Sequence, residues 1–380
     1  MRRILLKKYI FIILITIFIG AGCSDKQEHE TEQVKSGNMV LPTEKTANTS
    51  ETAEPTSESA ENTIDNNVYF SITETSDEDS EMMSNVKSID IQGSEKNVDN
   101  AGHIEYTSQY PLTAYDRQTN TIYYSARVYD ENNGYGDQLF AYDVETKQSK
   151  QLSKNIYAIN YIFPVKNTIY MLGAMGGTHS FTIIRYDLDT CEQSVFDSEE
   201  KWNFDLLVYD VFSGKLYASA TVHEEEEAYI EAYNTRPDEE NEEKYTPPDY
   251  RIFEFGEDFY EPKEIFHTKN KIVRRMAPTQ DGKLFVTFMD SLAVMDPTYE
   301  SYFIDLDTNK LEDAPAIDEV TYVTEFIYFL PDDEKIYFIG VYPAEDQRAL
   351  CSYDPKSKTI KMIYNSETGY INNCALLRSS

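Results

Sequence analysis

The chain has 380 residues, a net charge of −33, and 30 Tyr and 19 Phe against a single Trp. Such a charge repels nucleic acid and anionic lipid surfaces, which excludes both as ligands and leaves cationic or neutral partners. Tyrosine at this level suits half-buried strands, with the ring packed inward and the hydroxyl on water or backbone, so composition points to an all-β fold.

Residues 1–22 read as a signal peptide. Arg2, Arg3, Lys7 and Lys8 precede an apolar run from Tyr9 to Ile19, which is shorter than a bilayer span of roughly 20 residues. Gly20-Ala21-Gly22-Cys23 follows, and small residues before a cysteine suit the narrow pocket of a lipoprotein signal peptidase. The ending resembles a bacterial lipobox and departs from it at Gly20, where that motif usually carries Leu. In this reading Cys23 becomes the acylated first residue of the mature chain, whose charge is then near −37. A secretory signal with an incidental cysteine is the plainer alternative. The protein is expected to be anchored by lipid to the cell membrane, on its extracytoplasmic face.

Residues 23–66 follow as a linker. From residue 24 onward they hold no aromatic, 14 Ser, Thr or Pro, ten acids and three Lys. A stretch like that cannot bury enough apolar surface to offset its ordering entropy and is expected to be a disordered spacer.

From residue 67 to 377 one phrase recurs, an apolar residue followed by an aromatic: Ile122-Tyr123, Ile169-Tyr170, Leu216-Tyr217, Leu284-Phe285 and Ile336-Tyr337, with steps of 47, 47, 68 and 52 residues. That period fits a four-stranded sheet used repeatedly as the blade of a β-propeller. A second landmark lies downstream of most copies: Tyr142-Asp143, Tyr186-Asp187, Ile304-Asp305 and Tyr353-Asp354, each followed by polar turn formers. These turns join third strands to fourth strands. Val68-Tyr69-Phe70 is a sixth copy of the phrase, with Ser88–Gly93 in the place of its turn and a strand expected at about His103–Thr107. This unit lacks a first strand, and Tyr370–Leu377 is a first strand with nothing behind it. Six blades closed by the C-terminal strand joining the N-terminal blade resolve both deficits; five blades with an open end are the competing arrangement.

The pattern resembles the six-bladed TolB-like propellers of bacterial lipoproteins, including Tyr-rich ones of Gram-positive anaerobes. The resemblance implies architecture and a habit of surface binding, and it implies no catalytic residue.

The long step places an insertion at about 221–250 that contains Glu224, Glu225, Glu226 and Glu227, then Asp238, Glu239 and Glu240. Loops on a rigid scaffold are where binding resides, so these residues are the candidate binding loop; a solvated acidic run with some helix is the bland reading. Asp205–Asp210 and Arg274-Arg275 lie near first strands, which line a propeller's channel, and one of the arginines could offer a cation there; an exposed strand end with ordinary charges is the preferred reading. No catalytic residue, cofactor or metal site is expected. The histidines are scattered, the Asp-x-Asp turns fail the calcium-loop pattern, and Cys191, Cys351 and Cys374 lack zinc spacing. The expected function is therefore non-enzymatic: a monomeric binding or scaffold module for an envelope protein, peptide or wall glycan. A propeller glycoside hydrolase or lyase using channel carboxylates is the alternative, and an assembly role by analogy with TolB rests on the fold alone. Replacing Cys23 with Ala is expected to abolish fatty-acid labelling in cells; persistent labelling overturns the anchor.

Overall fold

A computed structural model describes residues 68–379 apart from 77–82, 93–94, 106, 109, 132–133, 236–245, 257–258, 291–296, 331–332, 344, 346 and 368. The signal segment, Cys23 and the linker lie outside the described residues. The remainder folds as six antiparallel four-stranded sheets, a six-bladed β-propeller. Blade 1 orders its strands β24 (Gly369–Arg378), β1 (Val68–Ser76), β2 (Met83–Gln92) and β3 (Glu95–Glu105) from inside to outside. Each other blade is a simple meander whose innermost strand comes first in sequence. Those first strands are β4 (Thr113–Asp116), β8 (Ile156–Val165), β12 (Trp202–Tyr209), β16 (Ile272–Pro278) and β20 (Val323–Phe329).

The ring closes as its two incomplete ends require. β24 pairs with β1 along its length, Tyr69 opposite Leu377 and Phe70 opposite Leu376, and it buries Ile371, Cys374, Ala375, Leu376 and Leu377. Neighbouring blades are stitched by polar groups as well as by packing. Asn373 Nδ2 donates to Thr113 O at 3.1 Å, and the Thr73 and Thr113 hydroxyls meet at 2.7 Å.

The repeated aromatic sits in the second strand of each blade. Tyr69, Tyr123, Tyr217, Phe285 and Tyr337 are buried, and the hydroxyls find partners at the blade edge: Tyr69 donates to Tyr115 O at 2.9 Å and Tyr337 to Asp333 Oδ2 at 2.6 Å. Ring inside and hydroxyl at an edge is why this core uses Tyr so heavily. The Asp turns follow one geometry. Asp143 Oδ1 accepts from Thr146 N at 2.8 Å, Asp187 Oδ1 from Thr190 N at 2.9 Å and Asp305 Oδ1 from Thr308 N at 2.7 Å. The residue after each of these Thr, Lys147, Cys191 or Asn309, takes a left-handed conformation that ends the turn. Blade 1 departs from the expectation. Asp90 forms no such turn and instead accepts from Arg117 Nη1 at 2.5 Å, so β2 runs on to Gln92 and β3 begins at Glu95, earlier than the strand expected near His103.

Because strand directions alternate, connections from first to second and from third to fourth strands share one face, here called lower. Second-to-third and blade-to-blade connections share the other, upper face. The insertion of the fourth blade joins β13 (Leu216–Val222) to β14 (Arg251–Phe255) and is therefore an upper-face feature. Its described part is helix α1 (His223–Asn234). Removing residues 371–380 is expected to lower the melting temperature by about 10 °C or more, since six buried side chains and a blade edge are lost together. An unchanged melting curve would mean that β24 does not hold the ring.

Candidate functional site

The innermost strands are irregular, and their irregularities coincide in position. Pairing slips at Phe204/Leu206 in β12, at Val273/Arg275 in β16, between Val323 and Ile327 in β20, and at Ile159/Tyr161 in β8. The residues skipped in β12 and β16 are Asp205 and Arg274, and Glu325 lies within the slip of β20. A bulge adds a residue to one strand and re-aims its side chain, which is how a strand otherwise committed to packing can present a charge. In β20 and β8 a glycine on the second strand makes room beside the irregularity. A Cβ on Gly340 would stand 2.4 Å from Tyr322 O, and one on Gly173 would stand 2.6 Å from Ala158 O.

The result is a charged collar in the upper part of the channel. Arg274 Nη2 lies 3.7 Å from Glu325 Oε2. The two side chains keep 24% and 32% of their surface exposed, and Glu325 lines the channel cavity. Tyr250 donates to Asp205 Oδ2 at 2.6 Å. Burial raises the Asp205 carboxyl above its usual value, against the Tyr250 hydrogen bond and the Arg274 charge. Burial also lifts the Tyr161 hydroxyl far above its ordinary range, and that hydroxyl feels Glu325, Arg274 and Asp205 together.

Arg275, the neighbour of Arg274, serves a different purpose. Only 1% of its side chain is exposed. It donates to Thr324 O at 2.7 Å, Val323 O at 2.6 Å and Asp318 Oδ2 at 2.8 Å, clasping the fifth blade to the sixth. Neither arginine is an exposed strand end. A fully bonded buried guanidinium is structural, whereas a loosely paired one on a lumen is available.

The four glutamates of α1 part company. Glu224, Glu225 and Glu227 are exposed, while Glu226 turns back onto the blade and accepts from Thr221 Oγ1 at 2.5 Å and Asn203 Nδ2 at 2.6 Å. Burial, joined by repulsion from Asp205, pushes the Glu226 carboxyl up to about 7 against those two donors. Glu226 thus ties the insertion to β12 and belongs to the collar's electrostatics. Asp238, Glu239 and Glu240 lie outside the described residues.

Below the collar the channel is filled by side chains. Its cavity holds about 40 Å³ between Phe163, Leu207, Met276, Phe326 and Leu376. That is room for two or three waters, far from the roughly 300–1,000 Å³ of a small-molecule pocket. The upper face carries most of the exposed aromatic surface. Tyr110, Tyr129, Tyr135, Tyr322 and Tyr370 all lie on its connections or at the adjoining strand ends, in the sixth, first and second blades. Tyr129 and Tyr135, 61% and 64% exposed, stand opposite each other on β5 (Thr121–Asp130) and β6 (Gly134–Asp143) with ring centroids 5.1 Å apart. Cys191 is exposed and Cys351 and Cys374 are buried, all three as free thiols. Among the described residues no group of three or more His, Cys, Asp or Glu is placed to hold a metal.

Sequence reasoning marked Asp205 and the Arg274-Arg275 pair but passed over Glu325 and Tyr161. The available signal was a charged residue third or fourth in an otherwise apolar first strand, repeated in β12, β16 and β20.

No family model and no curated protein matches the chain. Among solved structures it is similar to a chain of a nidogen/laminin complex, with a TM-score of 0.50 at 9% identity over 81% of this chain and 98% of that one. It is also similar to TolB from Acinetobacter baumannii, with 0.48 at 12% over 81% and 66%, and to an oligogalacturonate lyase in complex with manganese, with 0.44 at 12% over 78% and 73%. At such identities the likeness concerns the propeller fold alone.

The raised Glu226 carboxyl has a measurable consequence. The folded state holds this proton more tightly than the unfolded chain, so its contribution to stability is complete below the ordinary carboxylate range and is lost as pH rises to about 7. Between those limits the melting temperature of the natural protein is expected to fall relative to that of Glu226→Gln, which keeps an acceptor for Thr221 and Asn203. Parallel melting profiles across that range would show that Glu226 titrates normally.

Proposed function

We propose that the protein is an extracytoplasmic lipoprotein, held on the membrane through Cys23, whose propeller is a non-enzymatic binding or scaffold module for an envelope protein, peptide or glycan. One observation carries this reading: exposed tyrosine is concentrated on the upper face while the cavity inside the channel has room for only a few waters. Tyrosine presents a broad apolar ring with a polar tip at little entropic cost, which makes it an effective contact residue on a rigid surface. The lower face supports the same division of labour. β1 begins there at Val68, on the face opposite the tyrosines and the acidic helix.

A second reading is favoured by the Asp205–Glu226 pair. Two carboxyl groups in one buried environment, one of them pushed up to about 7, are the raw material of glycoside cleavage. The two readings separate in one set of variants. Under the binding reading, Tyr129→Ala combined with Tyr135→Ala is expected to abolish the protein's cross-linked partner on intact cells, while Tyr260→Ala on the lower face and Glu226→Gln leave it in place. A polysaccharide-cleaving activity lost in Glu226→Gln and retained in the tyrosine variant would favour the enzyme instead.

A further inference from the structure

Tyr129 and Tyr135, at the tip of the second blade's β5–β6 hairpin, are the two most exposed large apolar side chains among the described residues. The main chain beside them is open as well. Leu139 N donates to Ser153 Oγ at 2.7 Å and Leu139 O accepts from Leu152 N at 2.8 Å, so both groups of Leu139 point away from β5. The ladder between β5 and β6 runs without a slip. Alternate residues of an antiparallel strand share one direction, so the N–H and C=O of Tyr135 point outward too. β7 (Gln148–Gln151) covers that outer edge only from Phe140 onward. Gln138 Nε2, donating to Ile156 O at 2.7 Å, closes the edge where the second blade meets the third. Tyr135 is left as a single residue offering a donor, an acceptor and a bare ring. A recess of about 20 Å³ adjoins it, lined by Gly134, Gly136, Asn155, Tyr157 and Gly176 as well as Tyr135. That is room for one water-sized group.

The recess sets the chemistry of its ligand. None of its lining residues carries a charge, in a chain of which 27% are Asp, Glu, Lys or Arg. The nearby Asp137 is matched by Arg127 at 3.7 Å. An ammonium or carboxylate would lose water there and gain no counter-charge. A peptide strand needs a run of open main chain, and one residue offers it here. An apolar protein anchor needs aliphatic surface, yet Val128 is half-buried and Ile156 fully so. A sugar ring matches what remains: a C–H face for tyrosine, adjacent hydroxyls that donate and accept, and small polar substituents. We propose that Tyr129, Tyr135 and the recess form a subsite for one uncharged pyranose residue of a glycan. The sugar stacks on the tyrosines, sets neighbouring hydroxyls on the N–H and C=O of Tyr135, and places a further hydroxyl or hydroxymethyl in the recess. The inference rests on the binding reading above and narrows the partner to a neutral glycan. A cross-strand tyrosine pair also stabilises a hairpin, a role that melting curves report separately.

The test is saturation-transfer NMR on the full-length protein in a sugar-free detergent. The probes are cellotriose, maltotriose, triacetylchitotriose, trigalacturonate and acetyl-Gly-Lys-Gly-amide. At least one neutral trisaccharide is expected to receive saturation, and the two charged probes none. Tyr129→Ala and Tyr135→Ala are each expected to weaken binding of that trisaccharide about tenfold with little change in melting temperature. Tyr135→Phe, which keeps the ring and the main chain, should retain binding, and Tyr260→Ala on the lower face should leave it unchanged. No binding of any neutral trisaccharide, saturation of a charged probe as strong as theirs, or equal weakening by Tyr260→Ala overturns the proposal. A lowered melting temperature with unaltered binding in the alanine variants also overturns it, assigning the pair to hairpin stability alone. If the neutral sugars fail while the combined Tyr129 and Tyr135 variant still loses its cellular partner, this inference falls and the binding reading stands.

Discussion

Closure of the ring through β24 and β1 is the constraint on which everything else here depends. A four-stranded blade alone exposes two unpaired edges and two apolar faces, and neither is tolerable in water. Six blades in a circle bury each face against the next, provided that the first and last can be joined. The last ten residues of strand do this, bringing Phe70 opposite Leu376 and setting Cys374 and Leu376 into the same core as Tyr337 and Leu350. Once the circle is closed, the six innermost strands are held at fixed distances around an axis, and their side chains have nowhere to go except into the channel.

That confinement explains the division within the lumen. Low in the channel, Phe163, Leu207 and Met276 fill the axis in the manner of an ordinary core and leave space for a few waters. Higher up, bulges break the alternation of β8, β12, β16 and β20, and charged residues appear where apolar ones would pack. Charges in a confined place are costly unless paired. Arg275 is paired completely, by Asp318 and two carbonyls, and so acts as a clasp. Arg274 and Glu325 face each other at 3.7 Å and stay part-exposed, while Asp205 is held by Tyr250. The rigidity of the ring is what lets the molecule hold such a set in place.

The insertion shows how a loop becomes part of a scaffold. α1 is polar on nearly every side and would be a poor helix alone, yet Tyr229 is buried and Glu226 is bonded to Thr221 and Asn203. Those contacts dock it on the fourth blade. The acids that made this segment conspicuous in the sequence thereby acquire different roles, with Glu224, Glu225 and Glu227 in solvent and Glu226 within the collar.

Much of the architecture was legible in the chain because it depends on local chemistry. The recurring aromatic phrase, the Asp turns and the two unmatched ends at Val68-Tyr69 and Tyr370–Leu377 each reflect short-range preferences that repeat with the blade. Where local chemistry is diluted, legibility fails: the turn and outer strand of blade 1 were misplaced because Asp90 spends its carboxylate on Arg117 from the next blade. Sequence alone thus determined the fold class and pointed to the strand that closes the ring, while the choice of six blades over five came from the structure. Only the tertiary structure decided which charges face the lumen, since that depends on bulges in strands far apart in sequence. Arg274 and Arg275 are adjacent and chemically identical, yet a single slipped residue in β16 sends one to the channel and buries the other between blades.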